Sequence, residues 1–257
     1  MEALATHPAA TDTSLIIPLA GNGAPQAFLS LLAAGDMGFG DDENAGRRGA
    51  WLASLGFDPR LSMSTDLVHS RTVVVATSPS GMRGMEADGM IAPPTLLPGA
   101  SLVITVADCM PIYMYDSGSG AFGLLHSGWK GTGILANALR LMSERYGTQA
   151  RDVSVSFGPH IGACCYRVDT ERASVFASEF GSAAVRWDDG SPSLDLVVAN
   201  MDLAEALGIG SVHVVDACTF CDDNFGSFRR QGAGHFTRMA AVLGYQASSG
   251  HRSPARR

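Results

Sequence analysis

Two short segments of this sequence carry side chains that could perform chemistry. Cys109 lies in Ala-Asp-Cys-Met-Pro (107–111), and His126 begins His-Ser-Gly-Trp-Lys-Gly (126–131). A third candidate, His69, stands just before a β-branched run. One thiol and two imidazoles are the ligand set of an open zinc site, which keeps three protein ligands and a free fourth position. A thiol beside an imidazole is also the pair that a Cys-His nucleophile requires, so the residues alone leave both chemistries open.

Positive charges near these segments are candidates for binding an anion. The glycine-rich stretch 128–133 precedes a predicted helix, and such a loop exposes backbone N–H groups and the positive end of a helix dipole. Lys130 adds a fixed charge within that stretch. Arg229 and Arg230 are adjacent, and guanidinium groups hold phosphate or carboxylate in fork geometry. Together with Arg48, these residues form the predicted phosphate-binding set.

The remaining cysteines lie in the C-terminal half of the chain. Cys164 and Cys165 are adjacent, while Cys218 and Cys221 form a Cys-x-x-Cys pair, which can be redox-active or half of a zinc site. Because adjacent side chains of an extended chain point to opposite faces, we do not expect the four thiols to share a metal ion. His160 lies in a Gly-Pro loop shortly before Cys164, and we do not expect it to be a metal ligand.

The composition is that of an ordinary globular protein. The chain has 257 residues, 46% hydrophobic and 17% charged, and a formal net charge of −7. General nucleic-acid binding needs a basic footprint, so we expect no nucleic-acid partner. We also expect no membrane association, because the most apolar run, residues 101–115, is too short to span a bilayer and no signal peptide is evident. Five cysteines without a regular framework favour a reduced, cytoplasmic setting.

The elements that position these residues are predicted from hydrophobic periodicity. Strands are predicted at residues 72–76, 101–107, 112–115, 121–125, 152–157 and 211–215, and helices at 47–55, 133–146, 170–180, 197–207 and 236–244. Several strands follow one another through short turns, which favours an α/β fold with a mixed (α+β) sheet over a purely parallel one. A single domain is predicted at residues 13–247, with flexible ends at 1–12 and 248–257.

Taken in order, the motifs resemble those of the laccase-domain family. The matching segments are Leu-Val-His (67–69), Ala-Asp-Cys-Met-Pro (107–111), His-Ser-Gly-Trp-Lys-Gly (126–131), Gly-Pro-His-Ile-Gly-Ala-Cys-Cys-Tyr (158–166), Cys-Thr-Phe-Cys (218–221) and Ser-Phe-Arg-Arg (227–230). Members of this family, also called multicopper polyphenol oxidases, are described as purine nucleoside phosphorylases and as peptidoglycan editing factors. The resemblance runs from about residue 40 to residue 243. It implies one domain of layered mixed β-sheets flanked by helices, which has been likened to a group of cysteine hydrolases.

The resemblance also implies a site and a reaction. It assigns a zinc ion to His69, Cys109 and His126. It implies phosphorolysis of adenosine, inosine, guanosine and methylthioadenosine, with purine nucleosides and phosphate as the small-molecule partners, and deamination of adenosine. The sequence departs from the family at Lys130, where Arg is common, and at Arg167, where Glu is common. The three metal ligands therefore match, whereas the contacts to substrate differ.

Other functions stay open on the sequence. The peptidoglycan-editing description implies a hydrolase with Cys109 as nucleophile and His126 as base. The polyphenol-oxidase description implies copper, which accepts Cys and His ligands, but a four-copper laccase needs more histidines than the seven present. A module that binds nucleosides without turnover is the non-enzymatic alternative. The sequence does not indicate the oligomeric state.

Overall fold

The computed structural model describes residues 9–247 and the backbone of the short strand at Leu4–Thr6. The strands are β1 (Leu4–Thr6), β2 (Ser14–Ile16), β3 (Gln26–Ser30), β4 (Ser62–Met63), β5 (Val73–Val75), β6 (Gly89–Ala92), β7 (Ser101–Val106), β8 (Met110–Asp116), β9 (Phe122–Ser127), β10 (Val153–Phe157), β11 (Val185–Asp188), β12 (Ser191–Leu194), β13 (Ser211–Val215) and β14 (Met239–Gly244). The helices are α1 (Asp42–Ser54), α2 (Pro79–Met82), α3 (Ile134–Tyr146), α4 (Thr170–Phe180), α5 (Leu196–Leu207) and α6 (Phe228–Gln231). No helix in the described ranges has both the length and the apolar character needed to cross a membrane.

Two mixed sheets make up the centre of the molecule. The larger has seven strands in the order β1-β13-β10-β8-β9-β6-β5, and the smaller has five in the order β2-β3-β14-β7-β4. In the larger sheet β8 pairs antiparallel with β9 and β10, whereas β13 pairs parallel with β10 and β1. The predicted α/β architecture of layered mixed sheets flanked by helices is therefore confirmed.

Strand β8 shows how the layers are held together, because both of its faces are buried. Tyr113 and Tyr115 point into the apolar layer between the two sheets. Ile112 and Met114 point the other way, into the core that the large sheet forms with α3, α4 and α5. A strand buried on both faces reads as one continuous apolar run, and β7 and β8, both buried along their whole length, together give the run at residues 101–115.

Helix α1 covers the outer face of the small sheet. Trp51 and Leu52 of this helix pack against Val103 of β7. The helix begins earlier than predicted, because the Asp41 carboxylate accepts the backbone N–H of Asn44 and caps the first turn. The order of layers is thus helix, small sheet, large sheet and helices.

The helix predicted at residues 236–244 is wrong, since Met239–Gly244 forms strand β14. This strand lies in the middle of the small sheet and pairs antiparallel with β3 and β7. Ala241 and Leu243 face the layer between the sheets, while Ala240 and Val242 face α1. Because both faces of the strand are apolar, its sequence lacks the alternation of polar and apolar residues that would indicate a strand. Its Ala, Met and Leu residues favour helix locally, and pairing on both edges overrides that preference.

Two further boundaries differ from prediction. Strand β9 extends to Ser127, so His126 lies inside the strand instead of following it. Strand β8 begins at Met110, two residues before the predicted start at residue 112, and includes Pro111. Of the ends predicted to be flexible, residues 248–257, 1–3, 7 and 8 lie outside the described residues. Within residues 1–12, Leu4–Thr6 pairs with β13.

One hydrogen bond between the two sheets tests this packing. The fully buried Tyr113 hydroxyl donates to the Phe28 carbonyl at 3.0 Å. We expect Tyr113→Phe to lower the free energy of unfolding by about 1 kcal/mol, because the Phe28 carbonyl loses a partner that water cannot replace. The control is Tyr115→Phe, whose hydroxyl donates to the part-buried Asn22 carbonyl. Urea denaturation should show the smaller loss for the control, and equal losses would contradict the packing described.

Candidate metal centre and adjoining cavity

The three residues predicted to bind metal lie together at one end of the large sheet. One potential ligand atom from each of His69, Cys109 and His126 lies within 4.8 Å of the other two. His126 is in β9, and Cys109 immediately precedes β8, which pairs with β9 so that Pro111 stands opposite His126. The His69 and His126 rings meet edge to face, with centroids 5.0 Å apart. We call these three residues the triad.

Asp88 holds two members of the triad, His69 and His126, in position through hydrogen bonds. Its buried carboxylate accepts the backbone N–H groups of Val68, His69 and Ser70 at 3.3, 3.0 and 2.6 Å, and the Ser70 hydroxyl at 2.8 Å. It also bonds Nδ1 of His126 at 2.9 Å. One carboxylate therefore fixes both the turn that carries His69 and the ring of His126. Sequence reasoning missed Asp88, because nothing in its spacing connects it with the triad.

The charges in this cluster stabilise one another. Burial raises the pKa of Asp88, but hydrogen bonds from His126 and Ser70 outweigh that effect and hold the pKa at about 2. Burial likewise raises the pKa of Cys109, but the His126 and His69 imidazoles reverse this and lower it. The pKa of His126 is lowered by burial and raised more strongly by Cys109 and Asp88. The site thus favours a thiolate at Cys109, the form in which cysteine binds metal.

Backbone conformations near the triad are unusual. His69 and Asp108, the residue before Cys109, have φ angles of 57° and 83°, in the left-handed region that side chains rarely adopt. Gly128 is needed where it stands, because a Cβ atom there would lie 2.7 Å from the Cys109 sulfur. Such conformations persist only where the surrounding structure enforces them, and they concentrate at functional sites.

The donor set fits a metal ion such as zinc. Zinc binds imidazole nitrogen and thiolate sulfur, and sites that perform chemistry use three protein ligands. Since Nδ1 of His126 is bonded to Asp88, Nε2 is the nitrogen left for a metal. A carboxylate on the second ring nitrogen is also the arrangement that orients histidine ligands in zinc sites.

The triad lies in the wall of a cavity of about 650 Å³, within the range of small-molecule sites. The cavity combines aromatic rings with guanidinium groups. The aromatic residues that line it are Phe39, Trp129, Tyr166, Phe228 and Phe236, and the arginines are Arg172, Arg229 and Arg238. A flat heterocycle and an anion could therefore be held beside the triad at the same time.

Two of the four cations predicted to bind phosphate, Arg229 and Arg230, lie in the short helix α6. Arg229 lines the cavity, where its guanidinium donates to the Arg167 carbonyl at 2.8 Å and lies over the Tyr166 ring. Arg230 instead directs its guanidinium at backbone carbonyls of the loop that precedes α6, among them those of Thr219 and Phe220. Arg230 is therefore committed to holding the loop, and its predicted contact with phosphate has no support in this geometry.

The other two predicted cations are not among the residues that line the cavity. Lys130 is exposed, with its ammonium 5.5 Å from the centre of the Trp129 ring. Arg48 donates to the carbonyls of Met37 and Gly38, and its guanidinium stacks on the ring of Phe39. Their side chains therefore support cavity residues from outside.

Sequence reasoning missed two arginines that do line the cavity. Arg172 of α4 lies over the Trp129 ring at 4.8 Å, and Arg238 lies over the Phe236 ring at 4.2 Å. Neither belongs to a motif, so only the fold brings them to Arg229. His160, which we did not expect to be a ligand, is buried with its Nδ1 on the Gly158 carbonyl and is not part of the triad.

Comparison with known proteins gives a consistent match over most of the chain. The sequence profile of the family described as multi-copper polyphenol oxidoreductase laccase matches residues 29–246. A protein named purine nucleoside phosphorylase from Deinococcus radiodurans is 32% identical over 213 residues, which are 82% of this chain and 81% of that protein. Purine nucleoside phosphorylase YlmD from Geobacillus stearothermophilus is 33% identical over 154 residues, which cover only 56% of its length.

Solved structures agree with the fold. The crystal structure of YlmD from Geobacillus stearothermophilus has a TM-score of 0.82 at 26% identity, covering 95% of this chain and 100% of that one. The Bacillus licheniformis hypothetical protein YfiH has a TM-score of 0.81 at 26% identity, covering 91% and 97%. The arrangement of layers is thus shared over nearly the whole length of both chains.

The role of Asp88 gives a direct prediction. We expect Asp88→Asn to weaken zinc binding at the triad by about 10- to 100-fold, because an amide cannot accept all the donors now directed at the carboxylate. The matched control is Asp116→Asn, which alters another buried carboxylate, bonded to Gly118 and Ser119. Competition with a chromophoric chelator should show unchanged affinity for the control. Equal zinc affinity of the two variants would show that Asp88 does not support metal binding at the triad.

Proposed function

This chain belongs to the multi-copper polyphenol oxidoreductase laccase family, and we propose that it is a zinc-dependent purine nucleoside phosphorylase. The proposed substrates are adenosine, inosine, guanosine and methylthioadenosine, each with inorganic phosphate. Relatives named purine nucleoside phosphorylase support this class of reaction. The observation that carries the proposal is a His-Cys-His triad in a cavity that also holds five aromatic rings and three guanidinium groups.

The arginines are the proposed phosphate-binding groups. Arg172, Arg229 and Arg238 line one cavity in a chain whose formal net charge is −7, so cations are concentrated where an anion would bind. Guanidinium groups bind phosphate oxygens through paired hydrogen bonds. The rings of Trp129 and Tyr166 offer flat apolar faces on which a purine can stack.

In the proposed reaction, a phosphate oxygen forms a bond to the ribose C1′ and the bond from C1′ to the purine nitrogen breaks. The electron pair of the broken bond stays with the purine, and the proton of hydrogen phosphate ends on the purine. The products are the free base and the sugar 1-phosphate, which is ribose 1-phosphate for adenosine, inosine and guanosine. Zinc, when bound, supplies Lewis acidity that polarises and orients the substrate. The arginines hold the phosphate in line with the bond that breaks, which is catalysis by positioning.

Asp108 links the two halves of the proposed site. Its carboxylate accepts the Thr219 hydroxyl and the backbone N–H of Arg229, both at 2.7 Å. Because Asp108 directly precedes Cys109, the segment that carries the thiol ligand is tied to the helix that carries a phosphate-binding arginine. Asp108 is therefore a positioning residue.

Adenosine deamination is proposed as a second activity of the same site. Zinc deaminases use a carboxylate that is not a ligand to transfer protons. Two carboxylates, from Asp66 and Asp108, line the cavity. Since Asp108 is held by Thr219 and Arg229, Asp66 is the carboxylate we assign to proton transfer.

The runner-up is a Cys-His hydrolase acting on peptidoglycan precursors. One observation favours it: Cys109, His126 and Asp88 stand in the order of nucleophile, base and orienting carboxylate. A Cys-His hydrolase needs no metal, whereas the proposed phosphorylase should lose its activity when zinc is removed. Activity that persists after the metal is stripped would favour the hydrolase.

Copper is the alternative metal for the triad, but we do not propose multicopper oxidase chemistry. Within the described residues, only two clusters contain three or more potential ligands, and only the triad includes histidine. All five cysteines are free, which suits the reducing cytoplasm in which we place the protein.

The proposal is tested by metal analysis combined with an assay of inosine and adenosine. We expect zinc in the purified protein and phosphate-dependent release of the purine base. His126→Ala should abolish both zinc binding at the triad and turnover. Full nucleoside cleavage by His126→Ala, or cleavage that does not require phosphate, would overturn the proposal.

The phosphate subsite is tested separately. Arg229→Ala should raise the KM for phosphate by about 10- to 100-fold, because a charge-assisted hydrogen bond is lost. Lys130→Ala is the control, since Lys130 is a nearby cation that does not line the cavity. Steady-state kinetics at varied phosphate should leave the control unchanged. An equal effect of both substitutions would show that only the general positive charge matters.

A further inference from the structure

A second cluster of potential metal ligands lies outside the triad. The sulfur atoms of Cys164, Cys165, Cys218 and Cys221 all lie within 4.8 Å of one another. The expectation that these thiols do not converge is therefore wrong. It assumed an extended chain, whereas residues 163–165 form a turn in which the Gly162 carbonyl accepts the N–H groups of both Cys165 and Tyr166, at 2.9 Å. The turn brings adjacent side chains to the same side.

We propose that these four cysteines bind a structural zinc ion. The Cys221 sulfur is 3.7 Å from that of Cys164 and 3.3 Å from that of Cys165. A tetrahedral site with zinc–sulfur bonds of about 2.3 Å has sulfur–sulfur edges of about 3.8 Å. The spacing of the thiols is thus close to that of a four-cysteine zinc site, and the Cys-x-x-Cys pair has the separation common in such sites.

The two segments that carry the thiols are held in place by backbone hydrogen bonds. The N–H of His160 donates to the Ala217 carbonyl at 3.3 Å, and the N–H of Thr219 donates to the His160 carbonyl at 3.0 Å. The N–H of Gly162 donates to the Cys218 sulfur at 3.2 Å. Such hydrogen bonds orient ligands and stabilise thiolate in metal sites. The site is therefore built before a metal binds.

Two further features suit an anionic centre. Gly162 leaves room for the sulfur atoms, since a Cβ atom there would lie 3.2 Å from the sulfur of Cys164 and 3.5 Å from that of Cys218. The guanidinium of Arg230 donates to the carbonyls of Thr219 and Phe220, inside the Cys-x-x-Cys loop. Four thiolates around a divalent ion carry a net negative charge, which a neighbouring cation offsets.

A pair of disulfides fits the arrangement less well. A disulfide joins one sulfur to one partner at about 2.05 Å. Cys221 has no single partner, because its sulfur contacts those of both Cys164 and Cys165. All four cysteines in this cluster are free thiols.

The proposed zinc ion would join two walls of the cavity. Tyr166 follows Cys165 directly and lines the cavity. Thr219 lies between Cys218 and Cys221 and donates to Asp108 beside the triad. Loss of this zinc should therefore loosen the cavity and lower stability while leaving the triad's own ligands in place. The proposal does not depend on which reaction the cavity performs.

The test is the zinc content of the full chain purified under reducing conditions. We expect two zinc ions per chain in the wild type and one in Cys109→Ser, which removes only a triad ligand. We expect one zinc ion also in the double variant Cys218→Ser/Cys221→Ser, with a lower melting temperature.

Cobalt substitution distinguishes the sites. The strong sulfur-to-cobalt band of a four-thiolate site should persist in Cys109→Ser and disappear in the double variant.

The Cys109→Ser protein keeps the proposal falsifiable if the double variant fails to fold. In that protein, titration of the four remaining thiols with a mercurial should release one zinc ion per chain. Cys109→Ser protein without zinc would overturn the proposal, whether its four thiols are free or paired as disulfides. Iron in place of zinc would overturn the choice of metal. If the wild type holds a single zinc ion and Cys109→Ser retains it, that ion is not bound by the triad. This result would instead contradict the metal site of the proposed function.

Discussion

The site depends on one buried carboxylate. Asp88 is inaccessible to water and accepts three consecutive backbone N–H groups, the Ser70 hydroxyl and the His126 ring. A buried charge is costly unless its hydrogen bonds are satisfied, and here every donor comes from a segment that the site needs. The carboxylate therefore fixes the turn that carries His69 and the orientation of His126 together. Strain at His69 is tolerated because this network holds the turn.

The two-sheet core gives this network a rigid base. Strands β8 and β9 are buried throughout, and the triad forms at the end of the sheet where these two strands begin and finish. Asp108 extends the constraint outward, since it ties this end of the sheet to Thr219 and to the start of α6. The triad, the arginine-lined cavity and the four-cysteine cluster are consequently one connected structure, in which adjacent loops share hydrogen bonds.

Much of the fold and part of the site could be predicted from the sequence. The strands at residues 101–107, 152–157 and 211–215 and the helices at 133–146 and 170–180 lie where their patterns place them. Strand β14 could not be predicted, because both of its faces are buried and its hydrophobic periodicity then carries no signal. The convergence of Cys164 and Cys165 is also not visible in the sequence, because adjacent side chains point apart only in extended chain and these two residues lie in a turn.

Three properties of this protein can be read from its residues alone. They are three potential zinc ligands in recognisable motifs, a mixed α/β pattern of elements and a composition without a basic footprint. Which charges face the cavity depends on how the chain packs, which places Arg172 and Arg238 beside Arg229 and leaves Lys130 outside. The tertiary structure also revealed Asp88 and brought the four cysteines together. Motifs record local spacing, whereas an electrostatic network or a shared ligand sphere depends on distances between segments far apart in sequence. Those distances are set by how the sheets pack.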